Sequence, residues 1–259
     1  MKIPFYQVDA FTSKLFGGNP AAVCPLKDWI DPGLMQSIAA ENNLSETAFF
    51  VKKNDFYELR WFTPEIEVDL CGHATLASGF VLFNHLNYNE GEIKFETRSG
   101  RLMVQRSGEL IILNFPANPP VKVDTPDNLT EGLGKKPLEV YKSRDYLALF
   151  ETEKDVLSIQ PDFKILEKLD ALGIIITARG DTSDFVSRFF APAAGVDEDP
   201  VTGSAHTTLV PYWAKKLNKT QFHAFQISKR GGELFCQLAG DRVLISGKAK
   251  TYLTGEIEI

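Results

Sequence analysis

Cysteine is scarce in this chain: Cys24, Cys71 and Cys236 are odd in number and show no CxxC-like pairing, which argues against a disulfide framework or a zinc site and fits a reducing, cytoplasmic setting. Excess positive charge is missing as well. Lys and Arg total 28 against 34 Asp and Glu, a net charge of −6, so the surface as a whole works against a nucleic-acid partner. No apolar run reaches the roughly 18 residues a bilayer span needs. The opening MKIPFYQVDAFTSK is broken by Gln7 and Asp9, so no secretory signal segment is expected. GxGxxG, GxxxxGK[ST] and GxSxG are absent, leaving no dinucleotide site, phosphate loop or nucleophile elbow to propose. His85, His206 and His223 have no metal-binding spacing, so no metal is expected.

What is present is an ordinary globular composition, 44% hydrophobic and 24% charged over 259 residues, enough for two compact units or one large one. A tandem repeat then divides it. RWFTP from Arg60 recurs as RFFAP from Arg188, an offset of 128, and CGHA from Cys71 stands opposite TGSA from Thr202, an offset of 131. SGRLMVQRSGELIIL from Ser99 matches GGELFCQLAGDRVLI from Gly231 at 132. Three blocks in the same order predict a duplicated domain: residues 1–117 and 118–259, joined through the Pro-rich stretch 114–126, with a last strand able to pack on either.

Alternation, apolar runs and breakers give each copy the same coarse reading of strands, an amphipathic helix and a second helix. In the first copy that second helix, ATLASGFVLFNHL, is apolar almost all round, so a sheet must wrap it. The predicted class is α+β: two pseudo-symmetric domains, each a curved, mostly antiparallel sheet around a central helix. Residues 161–170 read as a helix of the second copy, and Pro211 should kink the second central helix.

Chemistry is expected where each buried helix begins. Its unpaired N–H groups and positive dipole end invite an anion, and Gly72 and Gly203 would let a ligand approach the backbone. His73 reads as a base, a donor to a carboxylate, or a core histidine, and Ser204 fills the matching first turn. Asp199, ahead of Pro200, could direct its carboxylate to the same place. Asp197 and Glu198 read as a solvated charge run. Glu46, between Leu44 and the apolar AFFV, is either a plain loop glutamate or a partly buried carboxylate tuned for acid/base work.

FGGNPAAV, NLSETAFF, RWFTPEIEVDLCGHATLASG and EDPVTGSAH together resemble the phenazine-biosynthesis-like (PhzF) isomerase family over nearly the whole chain. That resemblance implies a diaminopimelate epimerase-like fold and a homodimer. It implies Glu46 as the catalytic acid/base, and Gly72, His73, Asp199, Gly203 and Ser204 as the residues that bind a small carboxylate substrate. The implied reaction moves a proton on a compound like trans-2,3-dihydro-3-hydroxyanthranilate, without metal or organic cofactor. Related epimerases use two opposed thiols; here Cys71 occupies one such position and Thr202 the other, which disfavours two-thiol racemisation. Two alternatives stay open: an amino-acid epimerase or racemase with an unusual acid/base pair, and a catalytically silent ligand-binding or interaction protein.

Overall fold

The structure, a computed structural model describing residues 1–259, is α+β and divides into two compact units. One holds Met1–Asn114 and Ser246–Ile259, the other Phe115–Ile245. The C-terminal strand Ala249–Glu258 therefore belongs with the first unit, where it pairs antiparallel with Lys2–Ala10. No helix is long and apolar enough to cross a membrane.

In the first unit the sheet runs from Ala249–Glu258 through Lys2–Ala10, Asn19–Leu26, Glu46–Lys52, Tyr57–Phe62, Glu92–Thr97 and Gly100–Ser107 to Leu110–Pro116. Its helix Gly72–His85 is buried without a break from Gly72 to Gly79. A helix with no wet face needs apolar neighbours on all sides. It contacts Lys2–Ala10 near one end of the sheet and Gly100–Ser107 near the other, which requires the sheet to curve around it. The approach is tight at Gly79, where an added Cβ would lie 2.7 Å from Val104 Cγ1. The amphipathic helix Pro32–Asn42 packs Met35, Ile38 and Ala39 against Ile3, Cys24, Phe49 and Phe62.

The second unit repeats the pairing signs. In the first, Asn19–Leu26 and Glu46–Lys52 are parallel, Glu46–Lys52 and Tyr57–Phe62 antiparallel, Tyr57–Phe62 and Glu92–Thr97 parallel, and Glu92–Thr97 and Gly100–Ser107 antiparallel. In the second, Tyr146–Leu149, Ile174–Ala178, Phe185–Ala191, Gln221–Gln226 and Gly232–Ala239 follow the same sequence of parallel and antiparallel contacts. The repeat seen in three short blocks is thus a repeat of topology.

The repeat extends to a buried ion pair. Arg60 forks onto Glu67 with two bonds of 2.7 Å, and Arg188 forks onto Glu198 at 2.8 and 3.0 Å. Each guanidinium also lies over the phenylalanine two residues on, Phe62 or Phe190. Glu198 is therefore no solvated charge; it neutralises an arginine that is only 9% exposed.

Two expectations change in detail, and the helix with Pro211 gains an outside partner. The helix anticipated over 161–170 is a single turn, Phe163–Leu166, because Lys168 and Leu169 donate to the third residue back, tightening the backbone out of α geometry. Part of the Pro-rich stretch forms a strand, Val121–Val123, on Glu139–Lys142. Pro211 lies inside the continuous helix His206–Leu217. Lacking an N–H, it leaves the carbonyl of Thr207 open, and the Asn118 N–H fills it at 2.9 Å.

Gly79→Ala should destabilise the protein by about 1–3 kcal/mol, since the methyl group must displace Val104 in a packed interior. Denaturant unfolding of wild type and variant measures this directly, and equal midpoints would show that the contact relaxes at no cost.

Candidate functional site

Glu46 opens the strand Glu46–Lys52, and local sequence explains how it gets there. The preceding helix stops at Asn43, which adopts the left-handed conformation (φ 49°) and returns its N–H to the Ala39 carbonyl. Asn42 Nδ2 donates to Thr47 Oγ1 at 3.1 Å, fixing the short turn that delivers Glu46. Parallel pairing places Glu46 beside Ala21.

His73 is the second residue of the central helix, behind Cys71, whose extended backbone begins the helix without a side-chain cap. The imidazole Nε2 faces Glu46 Oε2 at 3.1 Å. Both atoms are buried and neither has any other hydrogen-bond partner; the approach is an ion-pair contact that lacks the alignment of a good hydrogen bond. On the other side of the ring, Nδ1 lies 3.1 Å from Asn19 Nδ2 and 3.5 Å from Cys71 Sγ. Ser45 Oγ donates to Asn19 Oδ1 at 3.3 Å. The Glu46 side chain is 19% exposed while that of His73 is 5%, so the carboxylate is the member of the pair that solvent or a ligand can reach.

Electrostatics separates these groups. Burial, aided by the Glu46 charge, pushes the Cys71 thiol up to about 11, so at neutral pH it is protonated and a poor base. Burial alone would push His73 down; the charges of Cys71 as thiolate and of Glu46 outweigh it and raise His73 above its ordinary value. With the thiol protonated, the Cys71 share of that rise is absent, and Glu46 is the one charge left to favour a second proton on the ring, against burial and against the Asn19 amide nitrogen that faces Nδ1.

Glu46, Cys71 and His73 are also the one trio whose ligating atoms come within 4.8 Å of each other, a convergence that linear spacing did not reveal. A metal there would require Cys71 to lose a tightly held proton. The chemistry of the donor set suits proton transfer better.

In the second unit Asp199, Gly203 and Ser204 come together at the start of the helix His206–Leu217. Thr202 donates its hydroxyl to the Asp199 carboxylate. Gln226, buried on its strand, accepts the Thr202 N–H at 2.8 Å and donates to the Asp199 carbonyl at 2.7 Å. Ser204 Oγ accepts from Arg144 Nη2 at 3.2 Å, and Arg144 is forked onto the buried Asp145. Gln226 and Arg144 went unnoticed in the sequence: they stand 24 and 60 residues from their partners, and no local pattern marks them. His206 is fully buried, with Nδ1 against the Thr202 carbonyl at 2.9 Å, and is a core histidine. The expected site residues thus form two clusters, Glu46 with Gly72 and His73 in the first unit, and Asp199 with Gly203 and Ser204 in the second.

Comparison with known proteins extends the picture. Residues 8–255 match the family described as "Phenazine biosynthesis-like protein". An uncharacterized isomerase of Pseudomonas aeruginosa is 51% identical over 259 residues, covering 100% of both chains. Another, from Halalkalibacterium halodurans, is 50% identical over 263 residues, covering 99% of each. A crystal structure of a PhzF family protein from Enterococcus faecalis superposes with a TM-score of 0.98 at 48% identity, covering 100% of both chains. At the level of fold alone, a probable proline racemase from Agrobacterium radiobacter is similar, with a TM-score of 0.66 at 12% identity over 99% of this chain and 93% of its own.

Burial pushes His206 down to about 4 against its ordinary 6.5, despite the opposing Thr202 carbonyl. The unfolded chain takes up this proton near 6.5 and the folded chain only near 4, so the stability tied to the neutral ring is complete above pH 6.5 and is lost as pH falls toward 4. Urea unfolding should lose about 3 kcal/mol across that window. The His206→Gln variant should show a flatter pH profile; an identical slope would assign the acid sensitivity to other groups.

Proposed function

Because the chain belongs to the phenazine biosynthesis-like (PhzC-PhzF) family, we propose that it is an isomerase that moves a proton between carbons of a small carboxylate substrate, with Glu46 as the acid/base. One observation carries this reading: Glu46 Oε2, opposed only by His73 Nε2 at 3.1 Å, is a carboxylate oxygen with no structural hydrogen bond to maintain. Glu46 removes a proton from an acidic C–H, becomes a carboxylic acid, and returns the proton to a second carbon as the substrate's double bond shifts. Atoms and electrons balance without an oxidant or reductant. His73, whose Nε2 faces the carboxylate at 3.1 Å, steadies its charge between the two transfers.

In this reading the Gly72 N–H in the first unit, and the Gly203 N–H and Ser204 hydroxyl in the second, are donors suited to a carboxylate group. Asp199 accepts from a substrate amino or hydroxyl group, its position held by Thr202 and Gln226. The substrate class is a compound like trans-2,3-dihydro-3-hydroxyanthranilate. We take the working form to be a cytoplasmic homodimer, checked by light scattering. A two-thiol racemase is disfavoured because Cys71 keeps its proton at neutral pH and Thr202, at the matching position, is bonded to Asp199.

The test is NMR in D2O with trans-2,3-dihydro-3-hydroxyanthranilate and related carboxylates, comparing wild type with Glu46→Gln. The expected result is isomerisation with deuterium incorporation in wild type and a loss of about 10³-fold in the variant. Equal exchange in both proteins would remove Glu46 from the mechanism. Tight binding without exchange would favour the binding-protein reading, and exchange at Cα with inversion the epimerase reading.

A further inference from the structure

We propose that Asn19 is a positioning residue that keeps the proton off Nδ1 of His73, so that the ring presents an N–H to Glu46 from Nε2 and stays neutral while doing so. The inference rests on the Glu46 reading above and adds the residue that sets the charge of its neighbour.

Asn19 begins the strand Asn19–Leu26 and is completely buried. Its Nδ2 stands 3.1 Å from His73 Nδ1, and an amide nitrogen can only donate. The nitrogen it meets must therefore be the unprotonated one, which leaves the ring proton on Nε2. Ser45 Oγ donates to Oδ1 at 3.3 Å, which satisfies the amide oxygen in that orientation. Ser45 immediately precedes Glu46, so the turn that delivers the carboxylate also orients the amide behind the imidazole. The groups facing His73 in this unit are then Glu46 on one side, with Asn19 and the Cys71 thiol on the other.

The two sides pull in opposite directions. A carboxylate at 3.1 Å favours a second proton on the ring, whereas an amide N–H pointed at Nδ1 repels one. The balance matters for catalysis, because an imidazolium beside a carboxylate holds its negative charge and weakens it as a base, while a neutral N–H donor costs it less. Asn19 thus lets His73 orient Glu46 without neutralising it. A buried amide with only a structural role would not need to select a tautomer.

The experiment reads the ring directly, by long-range 1H–15N correlation of the histidine nitrogens in labelled wild type, Asn19→Asp and Asn19→Leu at pH 7.5 or about that value. His73 is assigned by its loss in His73→Asn, and backbone spectra with thermal melts confirm that each variant folds. Wild type should show Nε2 protonated and Nδ1 bare. Asn19→Asp, nearly isosteric but an acceptor, should protonate both nitrogens and slow D2O exchange by roughly tenfold or more, while Asn19→Leu should lose the single-tautomer signature. A wild-type ring protonated on Nδ1, or a ring unchanged in Asn19→Asp, overturns the proposal. The spectrum needs no substrate, so it can fail while Glu46 proves essential and can succeed while Glu46 proves dispensable.

Discussion

A helix buried on every side over its first two turns imposes the rest of this architecture. From Gly72 to Gly79 every residue of the first central helix is buried, and burial of that kind is stabilising only if a sheet surrounds it. Enclosing the helix also encloses its first turn, with the N–H groups that have no intrahelical acceptor. The His73 imidazole lies in that buried turn and needs polar neighbours of its own. Asn19 from one strand and Glu46 from the next supply them, which makes the candidate site a consequence of how the core closes.

The two arginine–glutamate forks, one part-buried and one around a buried guanidinium, show what the duplication kept and where it let go. Arg60 with Glu67 and Arg188 with Glu198 hold the same place in each unit, just ahead of the helix start. A buried guanidinium without its carboxylate is costly, so both members must be retained together. The helix starts themselves diverge. In one, Cys71, His73 and Glu46 form a cluster with an acid/base character. In the other, Thr202, Asp199 and Gln226 form a closed hydrogen-bonded turn, and its histidine, His206, is a neutral core group.

Much of the framework was legible in the sequence because it follows from short-range pattern. The repeat, the buried helix and the α+β class come from spacing and periodicity, and Glu46, Gly72 and His73 were marked by their neighbours in the chain. What stayed hidden depends on contacts between distant segments. Asn19 and His73 are 54 residues apart, Thr202 and Gln226 are 24, and Arg144 and Ser204 are 60; no periodicity links them. Asp197 and Glu198 show the same limit: a run of acids reads as solvated until the arginine that pairs with one of them is placed beside it.

The chemistry follows from which proton each group can release. Stereoinversion by two bases needs an acid and a base on opposite sides of one carbon, each able to change protonation near neutral pH. Cys71 fails that requirement through burial, and Thr202 fails it by the nature of a hydroxyl. A partly exposed carboxylate with an imidazole beside it can instead take a proton at one carbon and return it at another, on the same side of the substrate. For such a shuttle the imidazole must steady the carboxylate without cancelling its charge. In the proposed shuttle, the protonation of the histidine, rather than the identity of a second base, is then the controlling variable.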